Sequence, residues 1–190
     1  MILIALCLVF LLGLIVVGGR VSNLAQIEVK WGWLAPLAFL MQAYLIFFPG
    51  ETGGGLLSGR SLILIFSYGL LFAVVCYNRQ LPGVKVIGLG LLLNFLAIVL
   101  NGGFMPITPE ALVQIGYDGN VPRLETGYLV ACTKNIVMGP GEARLWFLSD
   151  IFLLPSPFPI PTALSIGDLL IVVGMFFFLR EFMLRKAPAC

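Results

Sequence analysis

Five long apolar runs constrain the fold of this chain more than any other feature of its sequence. They extend over residues 2–17, 33–48, 61–77, 81–100 and 165–184. A helix needs about 20 largely apolar residues to cross the hydrocarbon core of a bilayer, and about 17 are still acceptable. The sequence therefore predicts an all-α membrane protein with a single domain over residues 1–190. Five transmembrane helices form its bundle, and a long segment, residues 101–164, faces outward between helices four and five.

The first apolar run is expected to remain in the protein as a helix. No basic residue precedes it, and no convincing small-residue cleavage site lies before Arg20, so it does not read as a cleaved signal peptide. Only 11% of the residues are charged, whereas about a quarter are charged in a soluble domain. Lipid is therefore the expected surrounding for most of the chain.

The positions of Lys and Arg predict the orientation, because cytoplasmic loops carry the excess of basic residues. Three basic groups fall on the same side of the predicted bundle, after the first, third and fifth runs: Arg20 and Lys30, Arg79 and Lys85, and Arg180, Arg185 and Lys186. We expect a multi-pass protein of the bacterial plasma membrane, with its amino terminus outside and its carboxy terminus in the cytoplasm.

Several classes of function are disfavoured by composition. The chain has no histidine, which is the commonest general base and metal ligand. Its four cysteines show no CxxC spacing, so the sequence indicates no metal site and no cofactor. The net charge of +2 is small and its basic residues are scattered, which argues against nucleic acid as a partner. The expected partners are the lipid bilayer and another membrane protein.

The outward-facing segment mixes glycine, proline and apolar residues. Thr108-Pro109-Glu110 predicts a short helix that runs through Ile115 and ends at Gly116, with a threonine cap, a first-turn proline and an acid near the helix dipole. Alternating prolines, at Pro155, Pro157, Pro159 and Pro161, predict a polyproline-like strut that returns the chain to the membrane.

Polar and small residues inside the apolar runs predict helix packing. Gln42 and Asn94 are amides at membrane depth, where such groups most often join helices by hydrogen bonds. Gly88 and Gly90 in helix four, and Gly174 in helix five, allow backbones to approach closely.

Two acids near the predicted outer face are the candidate catalytic residues. Asp150 interrupts an apolar stretch and Asp168 lies in the first turn of the last helix. If the chain between them doubles back, the two carboxyl groups can share a proton and act as acid and base on water, as in an aspartyl peptidase. The alternative for Asp168 is structural, because Ser165-Ile166-Gly167-Asp168 fits a helix capping box. The alternative for Asp150 is pairing with Arg144 or Arg123, or exposure to water.

The candidate binding residues form a second cluster, Asn101-Gly102-Gly103, just outside helix four, together with Asn94. Their functional interpretation is a polar floor for a site that contains the two aspartates. The structural interpretation is a helix stop, because Asn and Gly readily adopt the left-handed conformation that ends a helix.

At these residues the chain resembles a family of small bacterial integral-membrane proteins classed as a domain of unknown function. The resemblance extends over nearly the whole chain and is carried by Leu81-Pro82-Gly83, Asn101-Gly102-Gly103 with Met105-Pro106, Phe147-Leu148-Ser149-Asp150-Ile151, the proline strut, and Ser165-Ile166-Gly167-Asp168. The chain departs from the family pattern at Ser149, where glycine is expected. The resemblance implies membrane placement and no particular activity.

The last third of the chain is also similar to lipoprotein signal peptidase, in which an aspartate followed by apolar residues precedes an Asn-x-Ala-Asp block on the final helix. That similarity implies that Asp150 and Asp168 are a catalytic pair with Asn101 or Asn94 as support. Ser165 replaces the asparagine of the block, and the peptidase's Gly-Asn-x-x-Asp-Arg block has no counterpart. The sequence therefore favours a non-catalytic packing or accessory role in the membrane, with a membrane-embedded aspartyl peptidase or hydrolase as the alternative.

Overall fold

The computed structural model of the protein describes residues 10, 12–16, 18–48, 55–116, 126–130, 133–139, 141–157 and 161–184. Its α-helices are α1 (Leu34–Phe47), α2 (Gly59–Tyr77), α3 (Val84–Leu100), α4 (Pro109–Gln114) and α5 (Ile166–Met183). Short 3₁₀ helices occupy Val21–Gln26 and Trp146–Leu148. The strands are β1 (Met105–Ile107), β2 (Asn135–Val137), β3 (Phe152–Leu154) and β4 (Thr162–Leu164).

The chain is mostly helical, as predicted, but the all-α prediction is wrong. β1 pairs in parallel with β2, from Met105↔Asn135 to Ile107↔Val137. β3 pairs antiparallel with β4, from Phe152↔Leu164 to Leu154↔Thr162. Each pair joins stretches that are remote in sequence or separated by prolines. The local hydrophobic periodicity therefore did not predict these strands.

The predicted polyproline strut is also wrong. The chain continues along β3 and returns antiparallel along β4, so Pro155 and Pro161 lie at the ends of a hairpin-like connection whose residues 158–160 are outside the described part. Proline lacks the N–H that a strand ladder needs, and for this reason the flanking apolar residues form the paired strands.

Among the described helices, α2 alone is both long and apolar enough, with 19 residues, to span a bilayer by length and composition. α1 and α3 are apolar but shorter, with 14 and 17 residues. α5 has 18 residues and carries Asp168, Arg180 and Glu181. Most of the first predicted run lies outside the described residues, and its described part, residues 10 and 12–16, is helical. The bundle of five membrane spans therefore stays a prediction.

Two glycine pairs bring α3 and α5 together in the largest helix–helix interface of the described chain. A Cβ atom on Gly83 would meet the carbonyl oxygen of Gly174, and a Cβ atom on Gly90 would meet that of Gly167. The predicted packing roles of Gly90 and Gly174 are confirmed. Only a residue without a side chain allows the two backbones to approach this closely.

Polar side chains join the helices at buried or half-buried positions. Gln42 Nε2 of α1 donates to Ser67 Oγ of α2 at 3.0 Å. Asn94 Nδ2 of α3 donates to Asp168 Oδ1 of α5 at 2.9 Å. The interpretation of Gln42 and Asn94 as helix-joining amides is confirmed.

The two ends of the bundle are closed differently. At one end, Asn78 Oδ1 accepts from Lys30 N at 2.9 Å, and Met183 O accepts from Arg20 N at 3.0 Å. At the other end, the Arg60 guanidinium donates to the carbonyl oxygens of Leu45 and Phe48, which end α1. The described part of the segment over residues 101–164, called the cap below, covers this second end.

The cap has a small core of its own, made of Ile107, Ala111, Leu112, Val130 and Val137. Helix α4 supplies part of it and is capped as predicted, because Thr108 Oγ1 accepts from Ala111 N at 3.3 Å. The cap rests on the bundle through the end of α3 and the start of α5.

Candidate functional site

Asp168 is fixed at the start of α5 through both of its carboxylate oxygens. Oδ2 accepts from Ser165 N at 3.2 Å, and Ser165 Oγ accepts from Asp168 N at 3.0 Å, which together form the predicted capping box. Oδ1 accepts from Asn94 Nδ2 at 2.9 Å. The carboxylate therefore caps its own helix and also holds α3.

Both polar atoms of the Asn94 side chain bond to residues at the start of α5. Its Oδ1 accepts from Ser165 Oγ at 2.7 Å while its Nδ2 donates to Asp168. All three side chains are buried. The binding role suggested for Asn94 stays a prediction, and its observed partners belong to the protein.

Asp150 is held differently. Its backbone N donates to Pro106 O at 3.3 Å, which ties it to β1, and its Oδ2 accepts from Asn135 Nδ2 of β2 at 2.7 Å. The residue is only 5% exposed, and its Oδ1 is buried with no hydrogen-bond partner among the described residues. The neighbouring Ser149 Oγ is buried as well and has no partner in the same part of the chain. Unpaired buried polar atoms are costly, so their presence here calls for a functional explanation.

Two cavities of the cap meet at Asp150. The larger, of about 430 Å³, is lined mainly by apolar side chains, among them Ile107, Met138, Trp146 and Leu153, with Ser149 and Asp150 as polar groups and Glu110 on its exposed side. The smaller, of about 220 Å³, is lined by Asn135, Thr133 and Thr162 together with Asp150. An apolar cavity with a few polar groups that converge is the usual form of a small-molecule site.

Lys134 supplies a positive charge to this region. It precedes β2, and its ammonium group interacts electrostatically with Tyr68 of α2, Asp168 and Asp150. Burial acts to lower the pKa of Lys134. The negative charge that these three groups can carry has the larger effect, so the pKa of Lys134 is raised above its ordinary value. Lys134 is therefore a cation that interacts with both acids.

The pKa of Asp150 is raised to about 7, chiefly because burial disfavours the charged carboxylate. Lys134 and the hydrogen bond from Asn135 act to lower it, and the negative charge of Asp168 acts to raise it. The carboxyl group is thus poised to gain or lose a proton near neutral pH.

Asn101 lies at the end of α3 and joins this helix to the backbone of Arg144. Its Nδ2 donates to Ala97 O at 2.7 Å and to Arg144 O at 2.9 Å, and its Oδ1 accepts from Arg144 N at 2.7 Å. Gly102 and Gly103 have φ of +82° and +95°, so the predicted helix stop is confirmed. Gly103 lies so close to Ser61 that any side chain would collide with it. Binding by Asn101, Gly102 and Gly103 stays a prediction.

The structure therefore brings Asp150 and Asp168 into one electrostatic cluster but gives each its own amide partner. Sequence reasoning missed Lys134, Asn135 and Tyr68, which complete the cluster. The one available signal was the polar pair Lys134-Asn135 directly before the apolar pair Ile136-Val137.

Comparisons with known proteins agree with the family resemblance seen in the sequence. The model of a family of unknown function, DUF5317, matches residues 26–180. A Thermotoga maritima protein that bears the name "Uncharacterized protein" is 24% identical over 172 residues, which cover 90% of this chain and 87% of the relative. No solved structure matches the chain.

Proposed function

Because the chain belongs to DUF5317, a family of unknown function, we propose a role from its own geometry: a multi-pass protein of the bacterial plasma membrane that binds a small, largely apolar molecule beside Asp150. The observation that carries the binding role is Asp150, which lines a cavity of about 430 Å³ and has one buried carboxylate oxygen without a partner among the described residues. A bound molecule would supply the missing partner and fill the apolar space.

Support for membrane placement comes from the outer faces of the helices. Large apolar side chains are exposed there, including Phe39, Leu40 and Phe47 on α1 and Phe66 on α2. Soluble monomers rarely expose contiguous apolar patches of this kind. Helices α1 and α3 are short for a bilayer, but a short span is accommodated by local thinning at a modest free-energy cost per ångström.

Support for the proposed orientation comes from the end of the bundle opposite the cap. Trp31, Trp33 and Tyr77 cluster there with ring centroids 6.0–6.3 Å apart, as expected of an aromatic belt at a membrane interface. Lys30 and Arg20 are bonded to the ends of α2 and α5 at the same end. Basic residues at this end favour the cytoplasm for it and the outside for the cap.

Cysteine labelling tests this topology. In a background without other cysteines, Val113→Cys on α4 is expected to react with a membrane-impermeant maleimide on intact spheroplasts, because Val113 is 64% exposed on the cap. Native Cys190, kept as the single cysteine, should react only after permeabilisation. Labelling of Cys190 in intact spheroplasts, with Val113→Cys protected, would reverse the orientation and remove the proposed outer-face site.

Filling the cavity tests the binding role. Ala143 lines the cavity and is half-buried, so Ala143→Phe should occupy the space and weaken binding of the neutral probe 2-phenylethanol at least tenfold. The matched variant Ala143→Ser leaves the cavity open and should bind like the wild type. Isothermal titration calorimetry of the detergent-solubilised protein gives the dissociation constants. Equal affinities for the Phe and Ser variants would argue that the probe binds elsewhere.

A membrane-embedded aspartyl hydrolase that uses Asp150 and Asp168 is the second candidate. The observation in its favour is that the charge of Asp168 contributes to the raised pKa of Asp150, after burial. Against it, both Asp168 oxygens accept hydrogen bonds from groups of the protein, which leaves the second acid of a dyad engaged. The stability comparison of the two acids described in the Discussion separates these candidates.

A further inference from the structure

The chemistry of the cavity wall defines a class of ligand, and this inference rests on the proposed binding function. We infer that the cavity beside Asp150 takes a molecule with an apolar body and a protonated amine, whose N–H groups bond to the free Asp150 oxygen and to Ser149 Oγ. Three observations carry it: the charge of the lining residues, the two unpartnered buried oxygens, and the balance of charge in the surrounding cluster.

The ionisable lining residues of the cavity are all acidic. Glu110 and Asp150 line it, whereas no Lys or Arg is among the described residues that form its wall. Trp146 also lines the cavity, and an indole ring attracts a cation that lies over its face. An anionic ligand would meet two carboxylates here, so charge complementarity selects a cation.

Two of the residues that line the cavity, Ser149 and Asp150, each have a buried oxygen that is unpartnered among the described residues and can accept a hydrogen bond. Asp150 Oδ1 and Ser149 Oγ are each buried, and both residues are 5% exposed. An ammonium group has three donors and no acceptor, so one such group can satisfy both oxygens at once. While Asp150 is ionised, a carboxylate ligand could satisfy only the serine hydroxyl.

The charges around Asp150 leave one negative charge uncompensated. Asp150 belongs to the cap, Asp168 faces it from α5, Tyr68 from α2 and Lys134 from the loop before β2. With both acids ionised and Lys134 protonated, the cluster carries a net charge of −1, since Tyr68 is neutral at physiological pH. Either a proton or a bound cation on Asp150 neutralises it.

The affinity for an ammonium ligand should depend on pH, because the ligand competes with the proton on Asp150. Asp150 has a pKa of about 7 because of its burial, so below that pH the carboxyl group holds a proton and an ammonium ligand must displace it. Alkylamines stay protonated throughout this range. Amine affinity is therefore expected to fall about tenfold between pH 8 and pH 6, whereas the affinity of a neutral ligand should change little.

A matched probe series tests the inference in the full-length, detergent-solubilised protein. At pH 8, 2-phenylethylamine should bind at least tenfold more tightly than 2-phenylethanol, and 3-phenylpropionate should bind least. Asp150→Asn should bring the amine to the affinity of the alcohol, because Asn retains an oxygen for Asn135 and removes only the charge. Glu181→Gln, an exposed acid near the opposite end, is the matched control and should change nothing.

The outcomes separate the inference from the proposed function. Equal affinity for amine and alcohol, or full amine affinity in Asp150→Asn, would overturn the amine assignment and leave apolar binding standing. Absence of binding by all three probes would overturn both. Competition by dihexanoyl phosphatidylethanolamine, with none by dihexanoyl phosphatidylglycerol, would support the inference with a lipid headgroup as the source of the amine. Competition by neither lipid would support it with a free amine as the source.

Discussion

Gly167→Ala is expected to destabilise the protein by roughly 2–6 kcal/mol, the sum of overpacking at about 1–3 kcal/mol and a disrupted buried hydrogen bond at about 1–3 kcal/mol. The new Cβ atom would collide with the Asn94 side-chain amide and with Gly90 O. One of these contacts is a backbone oxygen and the other is a buried side-chain amide, so neither group can move away unless α3 separates from α5. The same shift would break the Asn94 bond to Asp168.

Unfolding of purified protein, followed by near-ultraviolet circular dichroism, measures the loss. Gly69→Ala is the matched control, because a Cβ atom on Gly69 in α2 would meet nothing within 4 Å. That variant should be neutral or slightly stabilised, since alanine favours a helix over glycine. Equal behaviour of the two variants would show that close approach of α3 and α5 does not hold the fold together.

Asp150→Asn and Asp168→Asn are expected to change stability in opposite directions at pH 8. Burial raises the pKa of Asp150 from 3.8 to about 7, so the folded protein binds this proton more tightly than the unfolded chain does. The stabilisation that comes from protonated Asp150 is therefore fully present below about pH 4 and is lost as the pH rises through 7. Over that range the free energy of unfolding falls by about 4 kcal/mol in total. An asparagine side chain does not titrate, so the Asp150→Asn variant should be more stable by up to that amount at pH 8.

Asp168→Asn should instead lose about 1–3 kcal/mol, because its new amide donor would face Asn94 Nδ2 or Ser165 N, which are donors themselves. Thermal unfolding of both variants at pH 5 and pH 8 measures the difference, and the gain from Asp150→Asn should shrink at the lower pH. A proton-sharing catalytic dyad predicts another pattern, in which removal of either charge relieves the same repulsion. Stabilisation of both variants at pH 8 would favour the hydrolase over the binding protein.

The contrast between these two acids shows how far sequence reasoning reached within the site. For Asp168, the S-x-x-D spacing predicted the capping box, because a cap depends on residues within one helical turn. For Asp150, the expected pairing with Arg144 and the expected exposure to water are both wrong, because Asn135 binds its buried carboxylate and Arg144 contributes backbone groups to Asn101. Arg123 lies outside the described residues, so pairing with it stays a prediction. Asn135 lies in a different strand, so nothing near Asp150 in the sequence indicated it.

The same division holds for the fold. The sequence by itself determined the helical runs, the caps at Thr108 and Ser165, and the glycines, Gly90 and Gly174, at which backbones approach closely, because helix propensity, capping and close packing depend on residue type over a few turns. That these glycines join α3 to α5 was decided by the tertiary structure. Only the tertiary structure decided the strand pairs and the surroundings of Asp150. The burial of Asp150, the position of Lys134 and the two cavities all arise from contacts between segments that are far apart along the chain. The free energies of these contacts appear only when the segments are packed together.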